Sequence, residues 1–191
     1  MTGHDDGSVV LCEEQVGIVV PKTFLGFPKR HVDTYVPTIP PWLRTIYDAS
    51  CFSFWAVAVG LIIQDSFHRP WGAIMSVFML GQPFFSYMGD SHEFMAIGKN
   101  GVWGCADRIW ALCSLSCSIV FVATNEWELW GPISYFSGLV IGMMFWFAAV
   151  FLLRIECNRP KLWALFHILW HLFPSIGGVI LTASLRPYAA S

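Results

Sequence analysis

The segment Leu162–Ala183 reads LWALFHILWHLFPSIGGVILTA and decides the fold. It holds no Asp, Glu, Lys or Arg, and at about 20 residues it has the length a helix needs to cross a bilayer. Within it, His167 and His171 stand one helical turn apart on one face, with Cβ atoms about 6 Å apart. Ionisable residues inside a membrane span are rare and mark functional sites by default. Two imidazoles on one face also offer two nitrogen ligands to one metal ion. Histidines that merely hydrogen-bond neighbouring helices account for the pair equally well. Pro174, one turn further on, is expected to free the Trp170 carbonyl and kink the helix.

The rest of the chain agrees with a membrane setting. Hydrophobic residues make up 55% of the 191 and charged residues 13%, with a mean hydropathy of +0.57. A soluble domain carries roughly 25% charged residues. The fold class is therefore read as all-α, a polytopic membrane helix bundle. A net charge of -2 gives no basis for a nucleic-acid partner. The six cysteines (Cys12, Cys51, Cys105, Cys113, Cys117 and Cys157) form neither a CxxC pair nor an extracellular framework. They read as reduced thiols, with Cys157 a candidate palmitoylation site. No Asn-x-Ser/Thr sequon occurs, and the first 45 residues hold no apolar run of the signal-peptide kind.

Residues 1–45 are polar and punctuated by Pro21, Pro28, Pro37, Pro40 and Pro41, and they read as an extramembrane arm. Val16 to Val20 forms a short strand or lies on the surface. The transmembrane domain is expected over residues 46–185, with a short tail at 186–191. Five apolar stretches mark its spans: Ala49–Ile63, Trp71–Met88, Cys105–Thr124, Trp130–Leu153 and Leu162–Ala183. Trp42, Trp71, Trp103, Trp127, Trp130 and Trp163 fall near their ends, as in an interfacial belt. With five spans, nine basic residues fall on the amino-terminal side: Lys22, Lys29, Arg30, Arg44, Lys99, Arg108, Arg154, Arg159 and Lys161. Only two, Arg69 and Arg186, fall opposite. This bias places the amino terminus in the cytoplasm and the carboxyl terminus in a lumen or outside.

On that topology several polar residues converge. Ser86 and Asp90 share a face in the last turns of the second span, and Asp107 lies in the first turn of the third. His167 and His171 lie about 9 and 15 Å into the fifth. Asp107 also suits a helix cap, and Ser86 a back-bond to its own helix. Asp90, at a helix carboxyl end, needs a cation: Lys99, Arg108 or a metal. His92 points away from Asp90 by the helical period and reads as interfacial, although an unwound end would turn it inward. His4, His31 and His68 lie out of reach. Two histidines and one carboxylate, with a second carboxylate nearby, are the parts of a zinc hydrolase. Asp107 would orient or deprotonate water, and Ser86 would hold an oxyanion. A site so placed suits a membrane lipid as substrate or ligand.

These residues resemble the CREST superfamily of membrane hydrolases. It comprises the alkaline ceramidases, the adiponectin-receptor and hemolysin-III-type PAQR proteins, and the Per-like GPI-remodelling proteins. His167-Ile-Leu-Trp-His171-Leu-Phe looks much like the final-span motif of the hemolysin-III-type and Per-like members. Asp107-Arg108 resembles the superfamily's aspartate position. The resemblance implies that His167 and His171 are zinc ligands, that Asp107 holds the zinc water, and that Ser86 lies beside them. The chain departs from the pattern at Ser86-Tyr-Met-Gly-Asp90, where aspartate replaces the third zinc histidine; His92 is the alternative third ligand. It also shows one span between Asp107 and the final motif, where the superfamily has three. The resulting expectation is a zinc-dependent hydrolase of a lipid amide or ester. The alternatives are a catalytically silent lipid-binding protein and a structural subunit of a membrane complex.

Overall fold

The computed structural model describes residues 38–95, 101–154 and 159–186. Residues 1–37 of the expected arm with its strand at Val16 to Val20, Lys99, Cys157 and the tail from residue 187 onward lie outside them. Among the described residues, helix is the only regular structure apart from one bridge between Trp127 and Leu185.

The first span is longer than its sequence suggests. Helix α1 (Pro41–Ser50) passes through a tight 3₁₀ turn at Cys51–Ser53 into α2 (Phe54–Ile63), giving 23 residues in all. Pro41 suits the first helical position, where no backbone donor is needed. Arg44 and Asp48 look like the polar flank of a span, but they are four apart and pair at 2.8 Å. Their charges offset each other, so the helix includes both. It therefore begins before the arm was expected to end. At the turn, Ser50 Oγ and Cys51 Sγ reach back to the Tyr47 carbonyl at 2.7 and 3.8 Å. Such local bonds compete with the helical ladder.

Helix α3 (Gly72–Ser86) follows a turn in which Asp65 and Trp71 take left-handed backbone, with φ of 51° and 63°. A Cβ on Gly72 would strike the Ser66 carbonyl, so the turn closes only on glycine there. Pro83 interrupts the α3 ladder. The chain does not stop after Ser86 but continues as an eight-residue π-helix, Tyr87–Phe94. Asp90 thus stands within a helix rather than at its end. π-segments re-aim side chains and recur at functional sites.

Helix α4 (Val102–Thr124) is capped from a distance. Glu93 Oε2 accepts from the backbone N–H groups of Gly101 and Gly104 at 2.9 and 2.8 Å. Asp107, five residues in, is not its cap. Helices α5 (Trp130–Arg154) and α6 (Pro160–Ala183) complete the bundle. They form its most extensive helix pair, and glycine lets them close up. A Cβ on Gly138 would lie 2.6 Å from the Phe173 carbonyl oxygen, and one on Gly177 would lie 2.9 Å from that of Ser134. Small residues play this part in membrane helix pairs. Gly142 receives the Pro174 ring and the Trp170 carbonyl that Pro174 leaves without its usual donor.

Among the described residues, four helices are long and apolar enough to cross a membrane: Pro41–Ile63, Val102–Thr124, Trp130–Phe151 and Pro160–Ala183. The α3–π segment is the fifth member of the bundle. At one end the chain brings together Pro41, Phe94, Val102 and Pro160. At the other, Asn125 Nδ2 donates to Pro70 O, Arg69 to Arg186 O, and Glu128 N–H to Ser184 O. Trp42 and Trp71 are exposed, as belt residues should be. Trp163 is not: at 2% exposure it packs against the rings of Tyr47, Phe94 and His167. It forms the wall behind a histidine rather than an interfacial anchor.

Candidate metal centre

Three separate segments deliver the polar cluster. The π-helix supplies Asp90, α4 supplies Asp107, and α6 supplies both histidines. The apolar stripe of α6 that carries Trp163, Ala164 and Ile168 is buried against α1 and α5, which aims His167 and His171 inward. His171 is 1% exposed and His167 8%. Their rings are 4.9 Å apart and nearly perpendicular.

Asp90 Oδ2 lies between them, 3.1 Å from His167 Nε2 and 3.3 Å from His171 Nε2. One ligand atom from each of the three residues falls within 4.8 Å of the other two. In a tetrahedral site with bonds of about 2.1 Å, ligand atoms stand roughly 3.4 Å apart. The donor set, two imidazoles and a carboxylate, could hold a metal ion. Close packing turns the π-helix towards α4. A Cβ on Gly89 would sit 3.1 Å from Gly104 Cα, so the residue before Asp90 must be small.

Asp107 and Ser86 stand together beside this cluster. Ser86 Oγ donates to Asp107 Oδ1 at 3.0 Å, and Gln82 Nε2 donates to the same oxygen at 3.1 Å. Gln82 also touches Ser86 Oγ at 3.0 Å and accepts from Ser114 at 3.4 Å. The single Ser86 proton is therefore used on Asp107; an oxyanion role requires that hydroxyl to turn. His92, the alternative ligand, has an exposed side chain and is not part of the cluster. His68 is exposed beside Asp65 at 3.6 Å.

A cavity of about 90 Å³ is bordered by His171 on one side and by Asp107 and Ser86 on the other. Gln82, Ser86, Asp107, Ser114 and His171 line its polar part, and Phe54, Val57, Met79 and Leu139 its apolar part. Tyr135 also borders it and bonds across to α4, donating to Ser118 Oγ at 2.7 Å. The cavity thus joins a hydrogen-bonded carboxylate and an imidazole to an apolar wall within the bundle.

Sequence reasoning missed Gln82, Ser50 and Tyr47. Gln82 carried a usable signal, since it is four residues before Ser86 and shares its face. Ser50 Oγ lies 3.1 Å from His171 Nδ1, and Tyr47 packs on His167 with ring centroids 5.0 Å apart. Nothing in the spacing of either residue marks it as a neighbour of histidines more than 100 positions away. No family model matches the chain, and neither a curated protein nor a solved structure does.

Proposed function

We propose that the protein is a membrane-embedded, zinc-dependent hydrolase of a lipid amide or ester, a short and divergent relative of the CREST hydrolases. One observation carries the proposal. His171, one member of a buried His–His–Asp set, lines a cavity that also holds a second, separately supported carboxylate. In this reading His167 Nε2, His171 Nε2 and Asp90 would hold the ion, which would supply Lewis acidity towards a carbonyl and towards water. Asp107, with Oδ1 fixed by Gln82 and Ser86, takes the proton of the attacking water and returns it to the leaving amine or alcohol. Hydrolysis then yields a carboxylic acid and that amine or alcohol. The apolar part of the cavity receives hydrocarbon from the substrate.

The proposed orientation follows the basic residues. The cluster end of the bundle, which carries Arg44, Arg108, Arg159 and Lys161, faces the cytoplasm, and the carboxyl terminus lies in a lumen or outside. The second reading is a catalytically silent lipid-binding protein. Contacts of 3.1 and 3.3 Å also suit hydrogen bonds that only join helices, and this favours it.

Purified protein supplied with zinc should release fatty acid from fluorescent lipid amides or esters. Asp107→Asn should retain the metal and lose at least about 100-fold in rate, the usual scale for removing a general base. An Asp107→Asn protein as active as the parent rejects the proposed mechanism. Bound lipid with no turnover by the zinc-loaded parent selects the silent reading.

A further inference from the structure

Helix α1 touches every member of the donor set. Ser50 Oγ, itself buried, lies 2.7 Å from the Tyr47 carbonyl and 3.1 Å from His171 Nδ1. A hydroxyl has one proton, and a carbonyl oxygen only accepts. The shorter contact takes the proton, so Nδ1 must be the donor across the longer one. Neutral His171 is then protonated at Nδ1 and bare at Nε2. That bare nitrogen faces Asp90 Oδ2 at 3.3 Å. Two acceptors face each other there, an arrangement that a cation between them relieves.

The same helix holds Asp90 through its neighbour. Arg44 Nη2 donates to the carbonyl and the hydroxyl of Ser91 at 2.8 and 2.9 Å. Asp48 accepts from Arg44 Nε and from Ser91 Oγ. Tyr47 OH reaches the Asp90 carbonyl at 3.4 Å, while its ring backs His167. Arg44, Tyr47 and Asp48 fall at three- and four-residue spacing, so one face of α1 makes all these contacts.

We propose that α1 is the positioning helix of the centre: Ser50 sets the tautomer that leaves His171 Nε2 free to bind, and the Arg44–Asp48–Ser91 network holds the π-helix so that Asp90 meets it. The inference rests on the metal-centre reading. Metal ligands depend on such outer contacts, whose loss typically weakens binding 10- to 100-fold.

The test uses full-length protein in detergent with ¹⁵N-labelled histidine, and His171→Gln to assign the signal. In the metal-free parent, His171 should carry its proton on Nδ1. Ser50→Ala should lose this preference, and Ser50→Thr should keep it. With cobalt(II) as the probe, Ser50→Ala and Arg44→Gln should bind about 10- to 100-fold more weakly, with a changed visible spectrum, whereas Ser50→Thr stays near the parent. A parent His171 protonated at Nε2 overturns the proposal without any variant. Cobalt binding that requires His171 but is unmoved by Ser50→Ala and Arg44→Gln overturns the inference alone. A parent that binds no cobalt overturns it together with the metal reading.

Discussion

Asp90 is the residue on which the centre turns. It presents one oxygen to two imidazoles at once. Aspartate and histidine both bind zinc with bonds of about 2.0–2.2 Å. Asp90→His should therefore keep one zinc per chain, while Asp90→Ala should lose most of it; equal metal content in parent and Asp90→Ala would remove Asp90 from the donor set. The histidines were legible because an i, i+4 pair stands out in a stretch without other ionisable groups. Asp90 was singled out by a helix end that does not exist, since the π-helix runs past it. Gln82 and Ser50 were not, because a lone amide or hydroxyl in an apolar helix has many ordinary partners. Only the packing of α1 and α3 shows which partner each one takes.

Among the elements, the π-helix and the α5–α6 hairpin set the geometry. The period of 3.6 residues placed Ser86 and Asp90 on one face, but no sequence period announces a π-helix, so His92 remained an open alternative. The positions of the last three spans were legible from apolar runs, whereas the expected span Trp71–Met88 is not among the four helices long and apolar enough to cross. The start of the first span was not legible, because Arg44 and Asp48 look terminal until their pairing cancels their charge. In the hairpin, Gly138 meets the Phe173 carbonyl, which is backbone and cannot swing aside. Gly138→Val should force α5 from α6 and cost about 1–3 kcal/mol, the range for overpacking. Thermal unfolding in detergent measures this; an unchanged midpoint would show that the helices are not pressed together there.

At the scale of the whole molecule, an all-α bundle was legible from composition and apolar runs, and its helices bring Asp90, His167 and His171 together. Sidedness rests on the charge count alone. Reporters fused to the two termini should lie on opposite sides of the membrane, with the amino-terminal one cytoplasmic; both on one side would mean an even number of spans and would undo the nine-to-two count. The central claim is that in the proposed centre two segments far apart in sequence, the π-helix and α6, together grip one ion. The most direct test is the metal content of purified protein, with His171→Ala measured beside it. The account expects about one zinc per folded parent chain and close to none in His171→Ala, with helix content unchanged in both. A folded parent that takes up no zinc when supplied with it, or a His171→Ala chain that holds as much as the parent, would contradict it.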